Sequence, residues 1–416
     1  MQSNSETPPL QASADWPASR SEGMERLAHF VARAGRTYAA ERNYDLGTDR
    51  RANVSVLSPY VRHRLVTEDE VVRAVLGTHS LSAAEKFIQE VCWRTYWKGW
   101  LQHRPGVWDR YVAEVAELTA FAGSDRHLMD RLERAKSGAT GIECFDAWAN
   151  ELVATGYLHN HARMWFASIW IYTLNLPWQL GADFFLRHLL DGDAASNTLS
   201  WRWVCGLQTP GKTYLARASN IQEYTGNRFA QATGLATAAP PASDAVPLER
   251  AKPLAPRGLQ PECEIALLVT DDDLNPESLD LGRAEVTIAI VLRGTDAAPG
   301  YAANVATFRA AARLDCGQRM ARHFGCPVAA IDVSAADAAH RLTQLTRGLP
   351  IVVAEMPVGP TRTAVQPLLD ALVIGGGTVH QLRRDWDHAF WPHATKGFFH
   401  LKDKIPSVLR ELGLQA

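Results

Sequence analysis

Several features are missing from this chain, and each absence narrows what it is. No run of apolar residues is long enough to span a bilayer, which excludes a membrane-inserted protein. Six cysteines stand at positions 92, 144, 205, 263, 316 and 326, with no CxxC pair and no paired histidines beside them. That spacing argues against a zinc site and against a disulfide framework. The first twenty residues are polar and rich in Pro and Ser, without the apolar stretch of a secretory signal, so 1–20 reads as a disordered arm and the protein as cytoplasmic. A glycine fingerprint for dinucleotides is missing too, because Gly375-Gly376-Gly377 precedes a strand pattern instead of opening a helix and reads as a turn. Net charge is nearly absent, at -2, so any contact with nucleic acid has to come from a local basic patch.

What is present divides the chain in two. At 416 residues it exceeds the size of a single core, so two domains are expected. From 21 to 230 the apolar spacing is helical, as in Ala84, Phe87, Ile88, Val91 and Cys92. One helix is expected to end at Gly156, and the stretch ARMWFASIWIYTL, apolar almost all round, reads as a central buried helix. Residues 231–262 are rich in Pro and Ala and read as a linker. From 263 to 416 five short apolar runs (EIALLVT, VTIAIVL, PVAAIDV, PIVVAEM and TVHQLR) alternate with helical segments, the pattern of a Rossmann-like α/β domain with a parallel sheet, followed by a C-terminal helix. Of the 13 tryptophans, all but Trp386 and Trp391 lie between Trp16 and Trp203. Core filling is the first use of such side chains, and stacking surfaces and redox chemistry are the others.

Four segments of the helical half carry chemistry. NVSVLSPYVR (53–62) puts Ser55 and Ser58 at a helix start, where hydroxyls and free N–H groups suit a phosphate. EKFIQEVCWRTYW (85–97) puts Glu90, Trp93, Arg94 and Trp97 close together on one helix, although Glu90 and Arg94 also have the spacing of a surface ion pair. TGYLHNHARMWFAS (155–168) crowds His159, Asn160, His161 and Arg163 at the start of an apolar helix, where buried polar groups need partners. LLDGDAASNTLSWRW (189–203) holds Asp191, Asp193 and Asn197. A DxD can bind a divalent ion, but no further carboxylate cluster is near, so no metal is expected.

This ordered set resembles the FAD-binding domain of the photolyase/cryptochrome superfamily over about residues 40–230. The resemblance implies FAD folded inside an all-helical cavity, with Tyr44, Ser55, Leu57, Ser58, Phe87, Arg94, Arg163, Asp191, Asp193 and Asn197 as its cofactor-binding residues. Arg163 would pair with Asp191, and Asn197 would face flavin N5. It further implies a pocket of Glu90, Trp93, Asn160, Met164 and Trp203 around an extruded pyrimidine dimer in UV-damaged DNA. His161 departs from the arginine common at that position. Trp201 and Trp178 match the inner and middle members of the family's electron-transfer chain, and the outer member is missing from 121–145.

IALLVTDDDLNPESL (265–279) is similar to the opening of the family's antenna domain, which here comes second, as though the chain were permuted. A second antenna chromophore and an empty structural domain are both compatible with the sequence. Asp271, Asp272 and Asp273 are the local polar candidates for such a ligand, or else a solvated loop. The activity implied is light-dependent splitting of pyrimidine dimers by electron transfer from photoexcited reduced FAD, in a monomer. A cryptochrome-like blue-light sensor is the alternative.

Overall fold

A computed structural model describes residues 16–230, 232–243, 262–294 and 300–415. The first half is helical. Four helices frame the site: α1 (Leu81–Gln102), α2 (Asn160–Ser168), α3 (Trp178–His188) and α4 (Ala194–Val204). Each start has a local cause. The Ser80 hydroxyl accepts from the Ala83 N–H at 3.3 Å, the His159 ring from the His161 N–H at 3.1 Å, and the Asp193 carboxylate from the Ser196 N–H at 2.7 Å. As expected, the helix Glu143–Thr155 stops at Gly156, which has φ 70°. The central helix α2 buries Trp165 and Phe166 fully and then widens into a π-helical turn, Ile169–Thr173, that buries Trp170.

In the second half all five apolar runs are strands: β1 (Glu264–Val269), β2 (Glu285–Arg293), β3 (Val328–Asp332), β4 (Ile351–Ala354) and β5 (Val379–Leu382). They form one parallel sheet in the order β3-β2-β1-β4-β5. The two-residue period of a strand then separates two cores. Ala266, Leu268, Ile290, Leu292 and Val353 face a core with Leu342 and Leu369, from the helices Ala338–Thr346 and Pro360–Ile374. Ile265, Leu267, Val269, Ala289 and Val291 face the opposite way, into a core that runs through α5 (Ala303–Phe324) and is continuous with that of the helical half. Phe308 of α5 meets Tyr60 and His63 at 6.0 and 5.8 Å between ring centroids.

The loop after β1 is the polar counterpart of that contact. Asp271, Asp272 and Asp273 are buried, not solvated, and arginines occupy all three. Asp271 pairs with Arg309 at 2.8 Å and Arg313 at 2.9 Å, Asp272 with Arg62 at 2.6 Å, and Asp273 with Arg384 at 2.5 Å and Arg64 at 3.5 Å. Arg64 also reaches Asp387 at 2.6 Å and Glu68 at 3.3 Å. A triple aspartate reads locally as a loop, but its partners lie about 40 to 210 residues away in the chain, beyond any local pattern. With these side chains spent on arginines, the segment is not a set of free contacts for a second chromophore.

The ends of the chain also differ from expectation. Trp16 is buried and the Ser19 hydroxyl caps the helix Arg20–Val31, so packed structure begins inside the segment read as a disordered arm; residues 1–15 lie outside the described residues. Of the linker, 231 and 244–261 also lie outside them, whereas 232–243 is fastened to the helical half, the Thr213 hydroxyl donating to Ala239 O at 2.9 Å. The C-terminal tail, expected to complete the α/β domain, packs instead on α1. It contains the helix Asp385–Phe390, α6 (Phe398–Lys402) and the helix Ile405–Glu411. The Trp386 indole donates to the Thr95 hydroxyl at 2.8 Å, and the Tyr96 hydroxyl donates to Lys396 O at 2.9 Å. Gly99 makes room for this contact, since a Cβ there would stand 2.8 Å from Trp391 and from Ala394.

Two outcomes follow. Glu68 and Asp387 share Arg64, and burial holds the Asp387 carboxyl above its ordinary range. Arg64→Met therefore leaves several buried carboxyls unpaired and is expected to cost about 3–5 kcal/mol in denaturant unfolding. Asp387→Asn, which keeps a neutral polar group in place, is expected to cost about 1 kcal/mol. For acid, burial first and then Arg62 and Arg309 push His63 down to about 3. The unfolded chain takes up that proton from about pH 6.5 downward while the folded one does not, so stability falls between pH 6.5 and 3. Melting temperature against pH is expected to be flatter over this window in His63→Gln.

Candidate functional site

The loop 53–58 enters the site under strain. Val56 has φ 46°, a left-handed conformation that is unfavourable for a β-branched residue and turns the chain between Ser55 and Leu57. Leu57 is buried, and the helix that follows is a single turn, Ser58–Arg62. The loop therefore offers the Ser55 and Ser58 hydroxyls more than it offers a helix terminus.

Opposite them lies Asp191, paired with Arg163 Nη2 at 2.9 Å, while Arg163 Nε donates to Leu158 O at 2.9 Å. Burial alone would raise the Asp191 carboxyl; Arg163, Arg94 and the Ser58 hydroxyl outweigh it and hold the group below its ordinary range. Asp193 is likewise depressed, against burial, by Lys98, Arg62 and Arg94. One of its oxygens caps α4, and the other lies 3.9 Å from Arg62 Nε. Asn197, one turn along α4, donates its amide to Ala182 O at 2.7 Å, which leaves Oδ1 as an acceptor. The structure thus brings Ser58, Arg94, Arg163, Asp191 and Asp193 together.

Among the described residues, the buried atoms Arg94 Nη1, Asp191 Oδ1 and Ser196 Oγ have no hydrogen-bond partner, and neither has Lys98 Nζ. Orphaned cations, an orphaned carboxylate oxygen and an orphaned hydroxyl, beside the hydroxyls of Ser55 and Ser58, fit a ligand with both anionic oxygens and N–H donors, as FAD is. Among the described residues no group of His, Cys, Asp and Glu could hold a metal ion.

Other expected positions sit elsewhere. Phe87 is core, its ring 5.4 Å from Phe30 and 5.0 Å from Tyr38. Tyr44 packs on Tyr224 at 5.1 Å. The ring neighbours of Trp201 are Phe166, Trp170 and Phe185, whereas Trp178 stacks on Tyr111 at 5.8 Å, and Tyr111 lies 5.3 Å from Trp108 with the rings tilted by 38°. Of the two cations that bear on Asp193, Arg62 closes the NVSVLSPYVR segment without being singled out there, and Lys98 is marked in the sequence only by its one-turn spacing from Arg94.

Toward solvent the site opens on Glu90, Trp93, Asn160, Met164 and Trp203, carried by α1, α2 and α4, of which α4 packs on both others. Trp93, Met164 and Trp203 are half-buried, and Glu90 and Asn160 are exposed. Glu90 faces Arg42 at 3.9 Å and not Arg94. Its side chain touches solvent yet stands in a concavity, and the burial there raises its pKa against the opposing pull of Arg42 and Lys86. Trp93 is covered on one face by Phe398 of α6, 3.6 Å away and 11° from parallel. His161 faces inward: its ring contacts Asn43 O at 3.0 Å and stacks on Trp165 at 4.0 Å, so it holds the loop that carries Tyr44.

Residues 87–229 match the family model described as the FAD binding domain of DNA photolyase. The deoxyribodipyrimidine photo-lyase of Alkalihalophilus pseudofirmus is 30% identical over 206 residues, 49% of this chain and 41% of that protein. That of Streptomyces griseus is 34% identical over 170 residues, 40% of this chain and 36% of that one. Among solved structures, a bacterial class III photolyase from Agrobacterium tumefaciens aligns with a TM-score of 0.41 and 23% identity, over 52% of this chain and 46% of that one. The chain spans less than half the length of these curated relatives. Over residues 87–229, a stretch that contains the Arg163–Asp191 pair, the chain is similar to the FAD-binding domain of DNA photolyase.

Proposed function

We propose that the chain is a light-driven repair flavoprotein that splits pyrimidine dimers in UV-damaged DNA. Bound FAD supplies light absorption and the electron; the protein holds it, admits the lesion and supplies hydrogen bonds. Ser55, Ser58 and Arg94 bind the phosphate side, Arg163 and Asp191 hold the flavin side, and Asn197 Oδ1 accepts from the N–H of the reduced ring.

The observation that carries the reading is a single turn of α1. It points Arg94 toward Asp191 and Asp193 while Glu90 and Trp93 stand at the accessible rim, so one helix serves cofactor and lesion together. The raised Glu90 carboxyl keeps a proton to higher pH than an ordinary glutamate and can donate it in a hydrogen bond to a pyrimidine carbonyl. One observation favours the sensor reading instead: Phe398 occupies a face of Trp93 that a stacked base would otherwise use.

Electrons to reduce a bound flavin would pass along Trp108, Tyr111 and Trp178, whose rings follow one another at 5.3 and 5.8 Å, to Trp201 on α4, which packs on α3, with an external thiol restoring Trp108. Trp170 lies 6.3 Å from Trp201, but it is fully enclosed and its indole donates to Pro177 O, so it leads nowhere. The Tyr111 hydroxyl is buried without a partner and held far above its ordinary range by burial and Asp183, so it has nowhere to send a proton and serves as a bridge, not a stopping point.

Blue-light illumination of the reduced protein with a dimer-containing oligonucleotide is expected to restore intact thymines only in the lit sample. Flavin photoreduction without repair would instead establish the sensor. Repair yield is expected to fall as pH rises through the raised Glu90 pKa, and Glu90→Gln is expected to flatten that profile. In transient absorption, Trp201→Phe and Trp108→Phe are each expected to slow photoreduction at least tenfold, while Tyr111→Phe leaves it within about twofold; a large loss in Tyr111→Phe would make the tyrosine a true carrier.

A further inference from the structure

We propose that the C-terminal tail supplies a nucleic-acid contact: Phe399 stacks on a base next to the pocket, and Lys396 and Lys404 meet the phosphates beside it. The inference rests on the repair reading and deepens it by naming where undamaged strand is gripped. Phe399 is 72% exposed, an unusual position for a phenylalanine, directly beside the buried Phe398 that covers Trp93. The segment that carries it is rigidly mounted. The Tyr96 hydroxyl holds Lys396 O at 2.9 Å, Arg104 Nη2 donates to Thr395 O at 3.0 Å, and Lys402 pairs with Glu85 of α1 at 3.3 Å. Phe398 and Leu401 bury the inner side of α6, so Phe399 has no room in the core.

Charge selects the occupant. Lys396 and Lys404 are exposed and have no carboxylate partner among the described residues, Lys86 and Arg42 lie near Glu90 at the rim, and Asp403 is the opposing charge within the segment. In a chain with a net charge of -2, a basic segment with one projecting aromatic ring at the pocket mouth matches a polyanion whose monomers carry flat faces, and not a second copy of this chain. Aromatic stacking with flanking cations is the general chemistry of single-strand grip, and it tolerates any base.

The test measures binding of the FAD-loaded protein to fluorescent single- and double-stranded oligonucleotides, with and without a dimer, across a salt series. Phe399→Ala, at an exposed position that folding does not need, is expected to weaken binding about tenfold while flavin absorbance and melting temperature stay unchanged. Lys396→Ala with Lys404→Ala is expected to lower the slope of log affinity against log salt by about 0.7–0.9 per lysine. Normal affinity and an unchanged slope in these variants would overturn the proposal while leaving the repair reading intact. Failure of the wild-type protein to bind any of the oligonucleotides would overturn both. A concentration-dependent dimer that Phe399→Ala dissolves, with DNA affinity unchanged, would assign the ring to self-association and overturn it too.

Discussion

Arg62 governs more of this molecule than its place in the sequence suggests. Its Nη1 meets Asp272 of the α/β half at 2.6 Å, and its Nε donates to Gly192 O at 2.8 Å, between Asp191 and Asp193. The same guanidinium therefore fastens the second domain to the first and fixes the loop that carries the site's two carboxylates. Around it the buried charges balance: Arg62, Arg64, Lys98, Arg309, Arg313 and Arg384 stand against Asp193, Asp271, Asp272, Asp273, Glu68 and Asp387. Taking charges out of water is costly unless each finds its partner, so the network tolerates one relative placement of the halves and no other. The mutual position of α4, the 53–58 loop and the sheet is in this sense a consequence of charge bookkeeping.

That constraint is indifferent to chain order. The contacts that join the halves include Phe308 on Tyr60, Asp272 on Arg62, Asp273 on Arg64, and the tail on α1, and none of them runs along the chain near 231–262. A connection between two packed bodies has only to reach, and its entropy cost rises slowly with length. An antenna-like domain that follows the FAD-binding domain can therefore dock as firmly as one that precedes it.

Legibility in the sequence followed the range of the interactions. Strands and their two faces were readable because the period of two is written into consecutive residues, as in Ile265 to Val269, and the Gly156 stop because one residue decides it. The motif residues Arg94, Arg163, Asp191 and Asp193 came together as their chemistry required. The aspartate triplet and the tail were misread because their partners lie far along the chain. Trp108 and Tyr111 escaped notice for a different reason: on one helical face at i and i+3 they look like core filling, and only the ring of Trp178 against Tyr111 gives them a direction.

The stack of Phe398 on Trp93 bears on what the second domain is for. If that domain served only to gather light, its removal would leave the pocket walls intact. Here a ring from the tail lies 3.6 Å from a rim tryptophan, and Thr95, Tyr96 and Gly99 of the same helix are each committed to the tail. Stripping the tail would expose both faces of Trp93, a large apolar surface at the mouth, and leave the buried Thr95 hydroxyl without its indole partner. The wall at Trp93 is therefore built by the helical half and the C-terminal tail together, and the tail has a structural duty there whether or not a chromophore occupies the α/β half.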